Sequence, residues 1–197
     1  MKDFKSLQNI HKDKDIWIVS GGPSLNHIDK SFFENKIVLG VNDIFRYFDC
    51  DYVVVKDCNE EPRFPRLVQE LKEKDIPLIY SQYYKGYEEK GLNNCDNPNS
   101  YMFKHNPRKK DFDMELMELD IDEEIIVSRS TVTTAVHIAY YMGAKNIILC
   151  GHDGGEIDGQ MYYHEYVEKD WKSASNWDGI KGFLNNMERE TVALKQL

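Results

Sequence analysis

Apolar residues along this chain fall in short, nearly continuous runs separated by glycine-rich or polar punctuation. Ile16-Trp17-Ile18-Val19-Ser20 stops at Gly21-Gly22-Pro23-Ser24, and the runs Lys36-Ile37-Val38-Leu39-Gly40-Val41-Asn42 and Tyr52-Val53-Val54-Val55-Lys56-Asp57 repeat the pattern. Runs that stay apolar at both alternating positions predict strands covered on both faces, as in a parallel sheet. Leu25 and Ile28 begin a short helix after the first run. Leu67, Val68 and Leu71 recur at helical spacing after Pro65, and Pro77-Leu78-Ile79-Tyr80 follows as a fourth strand. Glu124-Ile125-Ile126-Val127 is the next strand. Ser130 then caps a helix that runs to Met142 with Gly143 as its stop, and Asn146-Ile147-Ile148-Leu149-Cys150 reads as a buried strand. A last amphipathic helix is expected from about Ile180, with Phe183, Leu184, Met187 and Leu194 on its apolar side. Strands alternating with helices predict an α/β fold, a single doubly wound, mostly parallel, Rossmann-like sheet spanning residues 1–197. Residues 81–112 show no clear period and read as a long excursion, the kind of segment that serves as a lid or acceptor loop.

Composition adds limits. The chain has 197 residues, of which 41% are hydrophobic, enough to bury a sizeable core as one domain. Its formal charge is −9, from 25 Lys and Arg against 34 Asp and Glu, which disfavours non-specific attraction to nucleic acid or anionic membrane. No stretch approaches the roughly 18 apolar residues of a membrane span, and the N-terminus lacks the apolar core of a signal peptide, so a cytoplasmic location is expected. Cys50, Cys58, Cys95 and Cys150 have no paired ligand spacing and read as small buried hydrophobes.

In an open α/β sheet, ligands bind beyond the carboxyl ends of the strands, so the informative residues follow each apolar run. At the first junction Gly21 and Gly22 permit close backbone approach, Pro23 fixes the turn, and the helix beginning near Ser24 and Leu25 offers N–H groups to an anion. Ser130 and Thr131 start a second helix that offers the same groups together with hydroxyls. Asn42, Asp57, Gly151 and Asp153 also sit at strand ends. Asp57 and Asp153 suit ribose hydroxyls, a divalent metal or an acceptor hydroxyl, with Gly151, Gly154 and Gly155 leaving space beside the second. Farther on, Tyr162-Tyr163-His164 supplies phenolic donors and, in His164, a general base suited to neutral pH. His137 lies inside a helix and reads as structural.

The segment Trp17-Ile18-Val19-Ser20-Gly21-Gly22-Pro23-Ser24-Leu25, then Gly40-Val41-Asn42, then Ser130-Thr131 through Gly143 to Cys150-Gly151-His152-Asp153, resembles two related groups. These are the bacterial sialyltransferases of the Campylobacter type and the MptE-like hydroxymethylpterin diphosphokinases, a domain also common in phage. The resemblance implies that the Gly-Pro-Ser-Leu turn and Asn42 hold a nucleotide and that Ser130 and Thr131 hold its phosphate or ribose. It implies further that Tyr162 or Tyr163 assists departure of the nucleotide phosphate, with His164 as the base candidate. The sequence departs from the sialyltransferase pattern at Gly21, where that family has asparagine, and at Gly155, where it has a phosphate-binding tyrosine. The catalytic histidine of the sialyltransferases also lies farther beyond the Gly-x-Asp strand end.

These residues lead to an expected transferase that moves a sugar from a nucleotide-sugar donor of CMP or UDP type to a hydroxyl acceptor, with His164 or Asp153 as base and no required metal. One alternative is an ATP-dependent, Mg²⁺-dependent diphosphokinase, with Asp57 and Asp153 as metal ligands. The other is a nucleotide-binding protein without turnover. The acceptor class is open and extends to modified bases, and so is the oligomeric state.

Overall fold

The computed structural model describes residues 1–56, 58, 63–81, 95–107, 124–127, 130–153 and 155–164. Within them the strands are β1 (Asp15–Val19), β2 (Ile37–Val41), β3 (Tyr52–Val55), β4 (Leu78–Ser81), β5 (Ser100–Pro107), β6 (Glu124–Val127) and β7 (Asn146–Cys150). Helix α1 (Arg63–Glu73) joins β3 to β4, and α2 (Thr131–Tyr141) joins β6 to β7. The strands form one sheet in the order β6-β5-β4-β3-β2-β1-β7, and every neighbouring pair is parallel. The predicted α/β class with a parallel sheet is therefore what the chain adopts.

Both faces are covered, as the runs required. Along β1, Ile16 and Ile18 turn toward α2, while Val19 and the half-buried Trp17 turn to the opposite face. In β3, Val54 points to the α2 face, and Val53 and Val55 meet Phe64, Leu67, Val68 and Leu71 of α1. Helix α2 is buried almost all round, with only Tyr140 of its eleven residues exposed, so it works as a core element rather than a surface amphipath. Its ends follow the predicted chemistry. The Ser130 hydroxyl accepts the Val132 N–H at 3.2 Å, and Gly143 at φ 86° ends the helix in the left-handed conformation.

Three expectations need correction. The residues after β1 form two 3₁₀ turns, Pro23–His27 and Lys30–Phe33, in place of an α-helix. The excursion expected over residues 81–112 contains strand β5. Tyr101 and Phe103 face the core while Lys104 is exposed, an alternation too short and too polar in its flanks to register as a period. Strand β7 is an edge strand in the described sheet: Ile147 and Ile148 are half-buried and Leu149 is exposed, so its apolar content overstated its burial. Residues 82–94 and 108–112 of the expected lid, and the helix expected from Ile180, lie outside the described residues.

The register of β5 decides where α2 begins. The first half of β5 pairs with β4 through Ser81↔Phe103, and its second half, residues 104–107, runs past the end of β4 and pairs with β6. β6 is thereby carried to the carboxyl edge of the sheet, and α2 starts from there before packing across β1, β2 and β3. All four cysteines are free thiols, and burial pushes the Cys50 thiol up to about 12.

Candidate functional site

The chain builds outward from β1 through β2 to β6, then returns on α2 to place β7 on the other side of β1. The strand order therefore reverses between β1 and β7, the position at which open α/β sheets form a ligand crevice. Val19 pairs with Gly40 on one side and Cys150 on the other. Beyond these pairs the register of β1 and β7 slips by one residue, because the Gly22 N–H meets the Gly151 carbonyl where the ladder would offer that of His152.

The turns after β1 and β7 are clamped together. The Ser20 N–H donates to the Cys150 carbonyl at 2.9 Å, the Gly22 N–H donates to the Gly151 carbonyl at 2.8 Å, and the Ser20 hydroxyl also donates to the Gly151 carbonyl. A Cβ on Gly22 would collide with the Gly151 carbonyl and stand 2.5 Å from Asp153 Oδ2. The space expected to admit a ligand beside Gly22 is thus filled by the partner turn. Pro23 and Leu25 are buried and anchor the turn in the core.

Asp153 is bound into the same turn, where its Oδ2 accepts the Ser24 N–H at 2.8 Å. The donor expected to serve an anion is engaged by the protein's own carboxylate. Asn42, at the end of β2, adopts φ 56°, and its Oδ1 is buried with no hydrogen-bond partner among the described residues. Asp43 follows it, 1% exposed, held by Arg63 Nε at 2.9 Å and Nη2 at 2.5 Å and by Arg46 Nη1 at 3.3 Å.

Residues 160–164 close over the Gly21 turn. The Tyr163 N–H donates to the Gly21 carbonyl at 3.0 Å. The Asn26 side chain donates from Nδ2 to Gln160 Oε1 at 2.7 Å, while its Oδ1 accepts the His164 N–H at 2.9 Å. His164 is therefore tied to Asn26, the residue that follows the Gly-Gly-Pro-Ser-Leu turn, although the two lie far apart in sequence. The Tyr163 ring is 4% exposed and packs on Phe48 at 5.1 Å and Tyr47 at 5.9 Å, so it serves the core, whereas Tyr162 is half-exposed.

At the second cup, Ser130 spends its hydroxyl on the α2 cap and Thr131 is 6% exposed. Ser130→Ala should lower stability by about 1 kcal/mol, with Ser130→Asp restoring most of it in urea unfolding. Asp57 lies outside the described residues, and no group of three His, Cys, Asp or Glu side chains suited to a metal occurs among those described. His137 is fully buried in α2, in line with a structural role. Sequence reasoning passed over Asn26, Arg46 and Arg63, whose importance rests on partners far away in the chain.

No described helix is long and apolar enough to cross a membrane. No curated protein sequence matches the chain significantly. Among solved structures, the sialyltransferase CST-II in complex with a trisaccharide acceptor and CMP is similar, with a TM-score of 0.51 and 17% identity over 92% of this chain and 75% of that chain. The sialyltransferase CstII from Campylobacter jejuni in complex with the substrate analogue CMP-3FNeuAc gives 0.49 and 16%, over 91% and 79%. At that identity the first likeness speaks to the fold, and it agrees with the architecture drawn from the strand runs. Residues 1–159 match the family model described as 6-hydroxymethylpterin diphosphokinase MptE-like, and so span the clamped turns, Asn42, α2 and β7. The chain belongs to this MptE-like family.

Proposed function

We propose that the protein is a transferase that takes a nucleotide-linked donor at the crevice between β1 and β7 and moves the donor's group to a hydroxyl acceptor. The observation that carries this reading is Asn42. An unpaired buried polar atom costs about 1–3 kcal/mol, and here it sits just past the end of β2, the strand beside β1, on a residue with φ 56°. Such an oxygen suits a ribose hydroxyl or the amino group of a base.

The leading version is glycosyl transfer from a CMP- or UDP-sugar, supported by the sialyltransferase-like fold and by the CMP and trisaccharide bound to that neighbour. The acceptor oxygen bonds to the sugar carbon as its proton passes to His164. The nucleotide departs with the bonding pair, and Tyr162 donates a hydrogen bond to its phosphate. A second reading, diphosphate transfer from ATP to a pterin-like alcohol, is favoured by the family match and by Asp153. A phosphate brought to Ser24 meets the Asp153 carboxylate as a like charge, and Mg²⁺ held by Asp153, with Asp57 as a further candidate ligand, would neutralise both.

A thermal-shift screen with CMP, CDP, UDP, GDP, ADP and ATP, with and without Mg²⁺, tests both. A ligand at about 100 times its Kd stabilises the fold by about 2.7 kcal/mol. A shift with CMP or UDP that survives EDTA supports the glycosyl version, and a shift with ATP that requires Mg²⁺ supports the diphosphokinase version. Asn42→Gly keeps the backbone conformation and should abolish the shift. Failure of every nucleotide to shift the melting temperature would sink the transferase reading.

A further inference from the structure

The contact between Asn26 and His164 carries more than an anchoring role. A backbone N–H is always a donor, so the Asn26 atom that meets the His164 N–H at 2.9 Å must be the amide oxygen. The other end of the same amide agrees, because Nδ2 faces Gln160 Oε1 at 2.7 Å. The orientation of Asn26 is thus set by the His164 N–H, and Gln160 presents a matching acceptor. That same oxygen lies 2.6 Å from His164 Nδ1. A ring nitrogen and a carbonyl oxygen at that distance need a proton between them, and the amide oxygen cannot supply it.

We infer that Asn26 is a positioning residue that holds neutral His164 in the Nδ1–H tautomer, leaving the acceptor lone pair on Nε2. The rest of the local geometry keeps the ring in place. Tyr163, the preceding residue, is fixed by its N–H bond to the Gly21 carbonyl, and its ring lies 4.7 Å from the His164 ring, tilted by 55°. A chain of donors runs from His164 to Asn26 to Gln160, and each member defines the next. Because an amide carries no charge, this arrangement selects the tautomer without the added attraction for imidazolium that a carboxylate in the same place would bring.

For catalysis the inference rests on the proposed role of His164 as the base. In that step the acceptor hydroxyl gives its proton to Nε2 while its oxygen bonds to the transferred group and the nucleotide leaves with the bonding pair. The opposite tautomer presents an N–H where a lone pair is needed, and a histidine in the wrong tautomer loses its function as base even when its position is kept.

Long-range ¹H–¹⁵N correlation spectra of the full chain, recorded under mildly alkaline conditions where imidazole is neutral, read the tautomer directly. The signal of His164 among the six histidines is the one missing in His164→Gln. The wild type should show the Nδ1–H pattern. Asn26→Ala should move His164 toward Nε2–H, the form preferred by a histidine in water, and should lower kcat by about 10²-fold with little change in KM for the nucleotide. Asn26→Asp keeps an acceptor oxygen and should keep the Nδ1–H pattern, which guards against a misfolded alanine variant. An Nε2–H pattern in the wild type, or an unchanged pattern in a folded Asn26→Ala, overturns the inference while nucleotide binding stands. A thermal-shift screen blank for every nucleotide overturns the transferase reading while the tautomer stands.

Discussion

Gly151→Ala should destabilise the protein by about 2–5 kcal/mol, because the new methyl group is opposed by both the backbone conformation and the neighbouring turn. Gly151 sits at φ 69°, a left-handed conformation that costs an L-residue about 1–2 kcal/mol. Its Cβ would run into the Ser20 carbonyl oxygen and stand 3.0 Å from Leu25 Cγ and 3.1 Å from the Gly22 nitrogen. Two of these three are backbone atoms, and they cannot retreat cheaply. Ser20 and Gly22 are both hydrogen-bonded to the chain around Gly151, and Leu25 is fully buried beneath. Relief requires the β1 and β7 turns to part, which would also withdraw Asp153 from the Ser24 N–H. Urea unfolding should show a lower midpoint with an unchanged slope. Gly155→Ala is the control, since its Cβ would meet nothing within 4 Å, and its effect should stay within about 0.5 kcal/mol. Equal effects at the two positions would show that the clamp contributes nothing.

What could be read from the sequence divides along the range of the interactions. The strands β1, β2, β3, β4, β6 and β7 and the helix α2 are visible because their signals are local: β-branched runs, a serine cap, a terminal glycine. β5 escapes because, among its described side chains, the apolar Tyr101, Met102 and Phe103 make a short run between the buried polar Ser100 and the exposed Lys104. The edge position of β7 escapes because a continuous apolar run looks the same in a central strand and an edge strand. At the site, the strand-end rule selects the junction residues, and the structure bonds Tyr163 to Gly21 and His164 to Asn26. The use made of them is not visible. The bond from Ser24 to Asp153 spans 129 residues and the one from His164 to Asn26 spans 138, and no local pattern encodes a partner at that distance. In sequence the glycines suggest room for a ligand, whereas Gly22 and Gly151 make room for each other.

Asp43→Ala should cost about 3–4 kcal/mol, since it removes the buried carboxylate that two arginines share. The Asp43 side chain is 1% exposed and joins Arg63, at the start of α1, to Arg46 in the turn after β2. Arg46 continues to Glu70 in α1 through Nε at 2.7 Å and Nη2 at 3.0 Å, a two-pronged contact. Four side chains thus hold the turn after β2 against α1, and the turn begins with Asn42, whose Oδ1 has no hydrogen-bond partner among the described residues. The guanidinium groups of Arg63 and Arg46 reach solvent, at 15% and 21% exposure, which keeps the loss below that of a fully sealed pair. A double-mutant cycle with Arg63→Ala should give a coupling of about 1–3 kcal/mol, because the two side chains are in direct contact. Asp43→Asn keeps the shape and an acceptor and should lie between wild type and alanine. If the network also aims Asn42, a folded Asp43→Asn protein should show a smaller nucleotide-induced thermal shift than wild type at the same ligand concentration. A full shift would mean that the ion pairs hold α1 to the sheet and leave the Asn42 oxygen where it was.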